Sequence, residues 1–135
     1  MNNNVKLIHF DKKGDNRGFL VVVEQNKDIP IEIKRVYYMF DTGYDVRRGY
    51  HAHKKLTQIA IPVKGSCKFL LDDGKSVEHV TLDSPSVGLI IEPMIWHEMY
   101  DYSSDCVLMV LADDFYDESD YIRNYADFIR EITNA

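Results

Sequence analysis

Thr57 to Leu82, TQIAIPVKGSCKFLLDDGKSVEHVTL, reads as three β-runs with turns between them. Thr57–Val63 and Cys67–Leu71 are apolar stretches of strand length, and Ser76–Leu82 follows the turn Asp72-Asp73-Gly74-Lys75. An Asp-Gly pair between strand-like runs is a hairpin signal, because glycine adopts the positive φ that a tight turn needs. Working outward, the pattern repeats on both sides. Val5–Phe10, Gly18–Glu24, Ile31–Phe40 and Arg47–His53 precede it, and Val87–Ile91, Ile95–Asp101 and Cys106–Ala112 follow. Gly14-Asp15-Asn16, Asp83-Ser84-Pro85 and Ser103-Ser104-Asp105 punctuate these runs. Strands this closely spaced, with no helix-length segment between them, predict an all-β antiparallel sandwich or barrel over about residues 5–112.

The period changes only near the end. Tyr121, Ile122, Tyr125, Phe128, Ile129 and Ile132 form an apolar stripe at helical spacing. Ser119 is the expected N-cap, with Asp117, Glu118 and Asp120 at the positive end of the helix dipole. One helix over about 119–133 is therefore expected, packed outside the barrel. The 135 residues suit a single domain spanning 1–135.

Composition narrows the function. The net charge is −6, which argues against nucleic acid as a partner, since that affinity comes largely from Lys and Arg on phosphates. The longest apolar run, Cys106–Ala112, is far too short to span a bilayer as a helix, and the first residues carry no signal-peptide pattern. Cys67 and Cys106 lie in apolar runs without ligand partners, so they read as buried thiols of a cytoplasmic protein.

The chemistry concentrates in Arg47-Arg48-Gly49-Tyr50-His51-Ala52-His53-Lys54-Lys55. Strand alternation puts His51 and His53 on one face, about 6–7 Å apart, where they could share proton-transfer work or chelate a metal. A third imidazole, His97, follows the turn at Pro93. In Ile33–Phe40, alternation separates Arg35, Tyr37 and Met39 from Val36, Tyr38 and Phe40. The second set reads as the hydrophobic layer. The first then faces solvent, or shares a lumen with the histidines, where Arg35 needs an anionic partner such as a ligand phosphate.

These spacings resemble the cupin motifs. Gly49, His51, His53 and Gly65 match the first, and Gly88, Pro93 and His97 match the second loosely. The departure is Gln58, which stands where metal-binding cupins carry a carboxylate and so weakens any metal site. Ile33–Tyr38, Arg48–Leu56, Leu82–Leu89 and Tyr116–Arg123 sharpen the resemblance to the dTDP-sugar 3,4-ketoisomerases, small cupins acting on dTDP-4-oxo-6-deoxyglucose. That resemblance implies a cupin jelly-roll barrel, a homodimer, a dTDP-linked keto-sugar substrate, and no metal or cofactor. It implies His51 as the catalytic base, Tyr37 as a proton shuttle between two sugar oxygens, and His53 as an orienting or polarising group. Arg35 and Arg48 would hold the pyrophosphate. Arg17 and His97 would select the galactose-configured 3-oxo product, which feeds a 3-amino-3,6-dideoxy sugar of an O-antigen or S-layer glycan. The alternatives are the gluco-configured product, a dTDP-sugar 3,5-epimerase whose His–Asp dyad has no evident place here, a metal-dependent cupin, and a sugar-binding sensor.

Overall fold

A computed structural model describes residues 4–134. Its first five-stranded sheet contains β1 (Lys6–His9), β4 (Arg35–Met39), β6 (Gln58–Lys64), β9 (Val87–Ile91) and β11 (Val107–Ala112). The second contains β5 (Arg48–His53), β7 (Cys67–Asp72), β8 (Val77–Leu82), β10 (Trp96–Tyr100) and β12 (Tyr121–Ile122). The strand orders are β1-β9-β6-β11-β4 and β12-β5-β10-β7-β8, and β2 (Lys12–Asp15) with β3 (Gly18–Val21) forms a separate hairpin. Every pairing is antiparallel, as expected from the sequence.

The two sheets close on a core that includes Ala60, Phe69, Leu71, Leu89, Leu108 and Val110. Strand β6 explains its own unbroken apolar run. Its Ala60 faces that core, while Ile59 and Ile61 pack outward against Phe10, Ile29 and Ile31. Both faces are covered, so both must be apolar. The Asp73-Gly74 turn forms as expected: Gly74 has φ +93°, and its N–H donates to Asp72 Oδ1 at 2.7 Å.

The structure differs from the sequence reading in three places. Helix α1 runs from Tyr125 to Thr133, later than the expected 119 start, and its N-cap is Asn124, which accepts from the Asp127 N–H. Ser119 lies instead in a single 3-10 turn, Glu118–Asp120, capped by Asp117. The stripe misled because Tyr121 and Ile122 are apolar for another reason: they pair with His53 and Ala52 as β12, and Ile122 buries with Ala52, Trp96 and Phe128. Second, β2 had no sequence signal, since all four of its residues, Lys-Lys-Gly-Asp, are exposed. Third, the Val36, Tyr38 and Phe40 layer is exposed, at 52, 63 and 59%, while Arg35, Tyr37 and Met39 face inward.

Candidate active site

A cavity of about 240 Å³ opens between the sheets, lined among others by Arg35, Tyr37, Arg48, His51, Gln58 and His97. Its imidazoles come from the second sheet, where His51 on β5 lies directly opposite His97 on β10. The tyrosine and the glutamine come from β4 and β6 of the first. The cavity therefore has an imidazole wall facing a wall that carries a phenol and an amide.

A local irregularity sets the imidazole wall. His97 pairs with His51 and Glu98 pairs with Gly49, so Tyr50 is an extra residue in the ladder, a β-bulge. Gly49 has φ +93° and Tyr50 φ +60°. A non-glycine residue at such a φ costs free energy, and bulges of this kind re-aim the side chain that follows. His51 is that side chain. Its Nδ1 lies 3.0 Å from the Gly49 carbonyl, and His97 Nδ1 lies 3.1 Å from the Ile95 carbonyl. A carbonyl can only accept, so each Nδ1 carries the proton and each neutral ring keeps a bare Nε2. The ring centres of His51 and His97 are 4.5 Å apart, those of His51 and His53 5.1 Å.

The electrostatics keep this wall neutral. Burial is the main cause in all three cases: it lowers the His51 pKa below its usual 6.5, takes His53 to about 4, and takes His97 to about 3. Each histidine thus offers a free base near neutral pH. Opposite them, burial and then Tyr121 hold the Tyr37 phenol up at about 12, with Arg35 and Arg48 pulling against the rise. Tyr37 Oη donates to Gln58 Oε1 at 2.5 Å.

The other expected residues divide. Arg35 is half-buried, its guanidinium 5.3 Å from the Tyr37 ring centre, and its Nε has no hydrogen-bond partner among the described residues. Arg48 sits exposed at the start of β5 and lines the cavity. His53 does not line it. Tyr121 packs against both histidines, its ring centre 4.3 Å from His53 and 5.1 Å from His51, and His53 faces an adjoining cavity of about 220 Å³. There its Nδ1 lies 3.5 Å from Asp120 Oδ2, a His–Asp pair that no local pattern locates. Arg17 is not brought to the site within the chain. It sits at the β2–β3 turn with its side chain 87% exposed and paired to Asp15. Tyr121 and Arg123 line the cavity unanticipated, because their segment reads as helix in the sequence.

The donor nitrogens of His51, His53 and His97 all lie within 4.8 Å of one another, close enough for one metal ion. The set is neutral, and the Gln58 oxygen is turned to Tyr37. A carboxylate among these ligands would strengthen divalent binding, and none is present in the cluster. What the residues offer without further groups is a base, a phenol and guanidinium groups around one small cavity.

Comparison with known proteins points in the same direction. The FdtA family (WxcM-like, C-terminal) matches residues 3–133. A TDP-4-oxo-6-deoxy-alpha-D-glucose-3,4-oxoisomerase of Aneurinibacillus thermoaerophilus is 58% identical over 127 residues, 94% of this chain and 91% of that one. The H51N mutant of the 3,4-ketoisomerase QdtA from Thermoanaerobacterium thermosaccharolyticum, solved in complex with TDP-4-keto-6-deoxyglucose, superposes with a TM-score of 0.96. It is 46% identical, over 99% of this chain and 97% of that one. The WlaRB TDP-quinovose 3,4-ketoisomerase of Campylobacter jejuni is 49% identical with a TM-score of 0.89, over 94% and 98% of the two chains.

Proposed function

The chain belongs to the FdtA family and is a dTDP-sugar 3,4-ketoisomerase, and from that premise we propose that it converts dTDP-4-oxo-6-deoxy-D-glucose to dTDP-3-oxo-6-deoxy-D-galactose. The observation that carries the proposal is the pair of facing walls: bare imidazole nitrogens on one side of the cavity and a neutral phenol on the other.

The chemistry follows from the ketone. The C4 carbonyl acidifies the C3 proton, yet water at neutral pH removes it too slowly. In our reading His51 Nε2 takes that proton, and the C–H electrons form the C3–C4 double bond as charge moves onto O4. Tyr37 gives its proton to O4 and receives the one on O3, so it ends as it began. The electrons on O3 then form the new carbonyl, and His51 returns its proton to C4. Arg35 and Arg48 hold the pyrophosphate by charge-assisted hydrogen bonds, and the mouth gains a third guanidinium in Arg123. His53, which faces the adjoining cavity, acts on His51 through the imidazole cluster and not by touching the sugar. We assign the whole chain to one catalytic domain that works in the cytoplasm and feeds synthesis of a 3-amino-3,6-dideoxy sugar for a surface glycan such as an O-antigen or S-layer. None of the described helices is long and apolar enough to cross a membrane.

Stereochemistry supports the galacto product. In a glucose-configured ring, H3 lies on the face that H4 occupies only after inversion to galacto. A single base on one side of the ring can therefore take H3 and deliver H4 to give that epimer. The gluco product needs a second acid on the opposite face. His97, buried against His51, belongs to this one-sided wall, whereas Arg17 lies away from it. The test couples the product to a 3-aminotransferase and reads the H3–H4 coupling constant by proton NMR. A small coupling is expected, and a large diaxial coupling would overturn the configuration. Substrate deuterated at C3 should also carry part of its label to C4, which a two-base route would not allow.

We also propose that the chain forms a homodimer. Strand β1 has one free edge, and the exposed Val36 and Tyr38 of edge strand β4, Phe40 just after it, and Phe19 and Leu20 of the β2–β3 hairpin supply apolar surface. Light scattering should give about twice the 15.7 kDa chain mass; a single species of chain mass would refute it.

A further inference from the structure

Gln58 is 1% exposed at the start of β6, a strand that continues Ile59-Ala60-Ile61. An amide buried this far is destabilising unless it has a hydrogen-bond partner. Its partner is two strands away. Tyr37 on β4 pairs with Val110 of β11, and Gln58 pairs with Ala112 of the same strand, so the bond from Tyr37 Oη to Gln58 Oε1 crosses β11 diagonally. Both side chains line the cavity with His51 and His97.

We infer that Gln58 is the positioning residue for the Tyr37 hydroxyl: the bond holds Oη beside the cavity with its proton resting on the amide, and turning the amide to donate an N–H frees that proton for the sugar. This rests on the shuttle role proposed for Tyr37. A phenol rotates its O–H freely about the C–O bond unless an acceptor fixes it. The Gln58 oxygen is that acceptor, and it leaves the other lone pair of Oη open to the cavity. The amide type matters as well. While Tyr37 passes one proton on and receives another, its oxygen gains partial negative charge. A glutamine can turn an N–H toward that charge, whereas a glutamate offers only acceptors and a full negative charge. A leucine of similar size offers neither.

The experiment is a double-mutant cycle with Gln58→Leu, Gln58→Glu and Tyr37→Phe, assayed by proton NMR over hours so that slow variants remain measurable. Gln58→Leu is expected to lower kcat roughly 10- to 100-fold with KM within about threefold of wild type and no loss of thermal stability. Gln58→Glu should fall at least as far. In the Tyr37→Phe background, Gln58→Leu should cost less than about twofold more, because the group it directs is gone. An unchanged kcat in Gln58→Leu overturns the inference. So does an equal loss with and without the hydroxyl, which is what a packing role alone produces. Wild-type kcat in Tyr37→Phe alone would instead refute the shuttle reading, and the inference would fall with it.

Discussion

Replacing His51 by asparagine is expected to cut turnover by roughly 10²–10⁴-fold, the range a positioned general base contributes, while dTDP still binds and the thermal melting curve is unchanged. The bulge aims the ring, the Gly49 carbonyl fixes its tautomer, and the cavity receives a bare Nε2; asparagine keeps the volume near that of imidazole but holds no proton acceptor of comparable basicity. The same group fixes the acid limb of the wild-type pH profile. His51 must be neutral to act, and burial lowers its pKa, so kcat/KM should hold its plateau as pH falls through 6.5 and decline only below it. Near wild-type turnover in His51→Asn, or an acid limb above pH 6.5, would remove His51 from the role.

Much of the framework was legible because it rests on local rules. The Asp73-Gly74 hairpin follows from one φ requirement, and strand alternation puts His51 and His53 on one face, though not His51 opposite His97. What stayed hidden depends on registers between distant strands. The Tyr37–Gln58 bond needs β4, β11 and β6 side by side, and the His53–Asp120 pair needs the segment after β11 to return along β5. Periodicity misread that segment because two strand residues and a helix stripe happened to fall in phase. The Val36, Tyr38 and Phe40 face misled differently. An apolar face argues for burial, and in the isolated chain it is exposed, which is why it now counts toward a partner surface.

The charge layout follows the same division between interior and rim. Around the cavity the histidines and Tyr37 are held neutral, while Arg35, Arg48 and Arg123 give a cationic lining in a chain of net charge −6, which suits the pyrophosphate contact proposed for them. Arg123 is already paired with Glu118 through two hydrogen bonds, so Arg35 and Arg48 are the freer donors. In the proposed binding mode the sugar meets groups whose protonation can change, and the phosphates meet groups whose charge cannot.

The second large effect is expected from a residue with no side chain. A Cβ at Gly49 would lie 2.8 Å from the His97 carbonyl oxygen and 3.1 Å from Glu98 Cα, both backbone atoms that cannot swing aside. The φ of +93° adds strain for any L-residue. Gly49→Ala should therefore push β5 and β10 apart at the point where His51 faces His97. A misplacement near 1 Å costs on the order of 10²-fold in rate, and the clash with the strain costs about 2–4 kcal/mol of stability. Gly65→Ala is the control. Its Cβ would meet Asp105 Oδ1 at 2.6 Å and Cys106 Cα at 2.8 Å, with Ser103 Oγ closer still, and its φ is +71°, at least as severe an offence just past the far end of β6, roughly 20 Å of strand from Gln58. Both variants should melt earlier, but at a temperature where each is still folded only Gly49→Ala should lose turnover. If Gly49→Ala retains wild-type kcat, the close approach of these strands does not set the geometry of the base, and the bulge is structural alone.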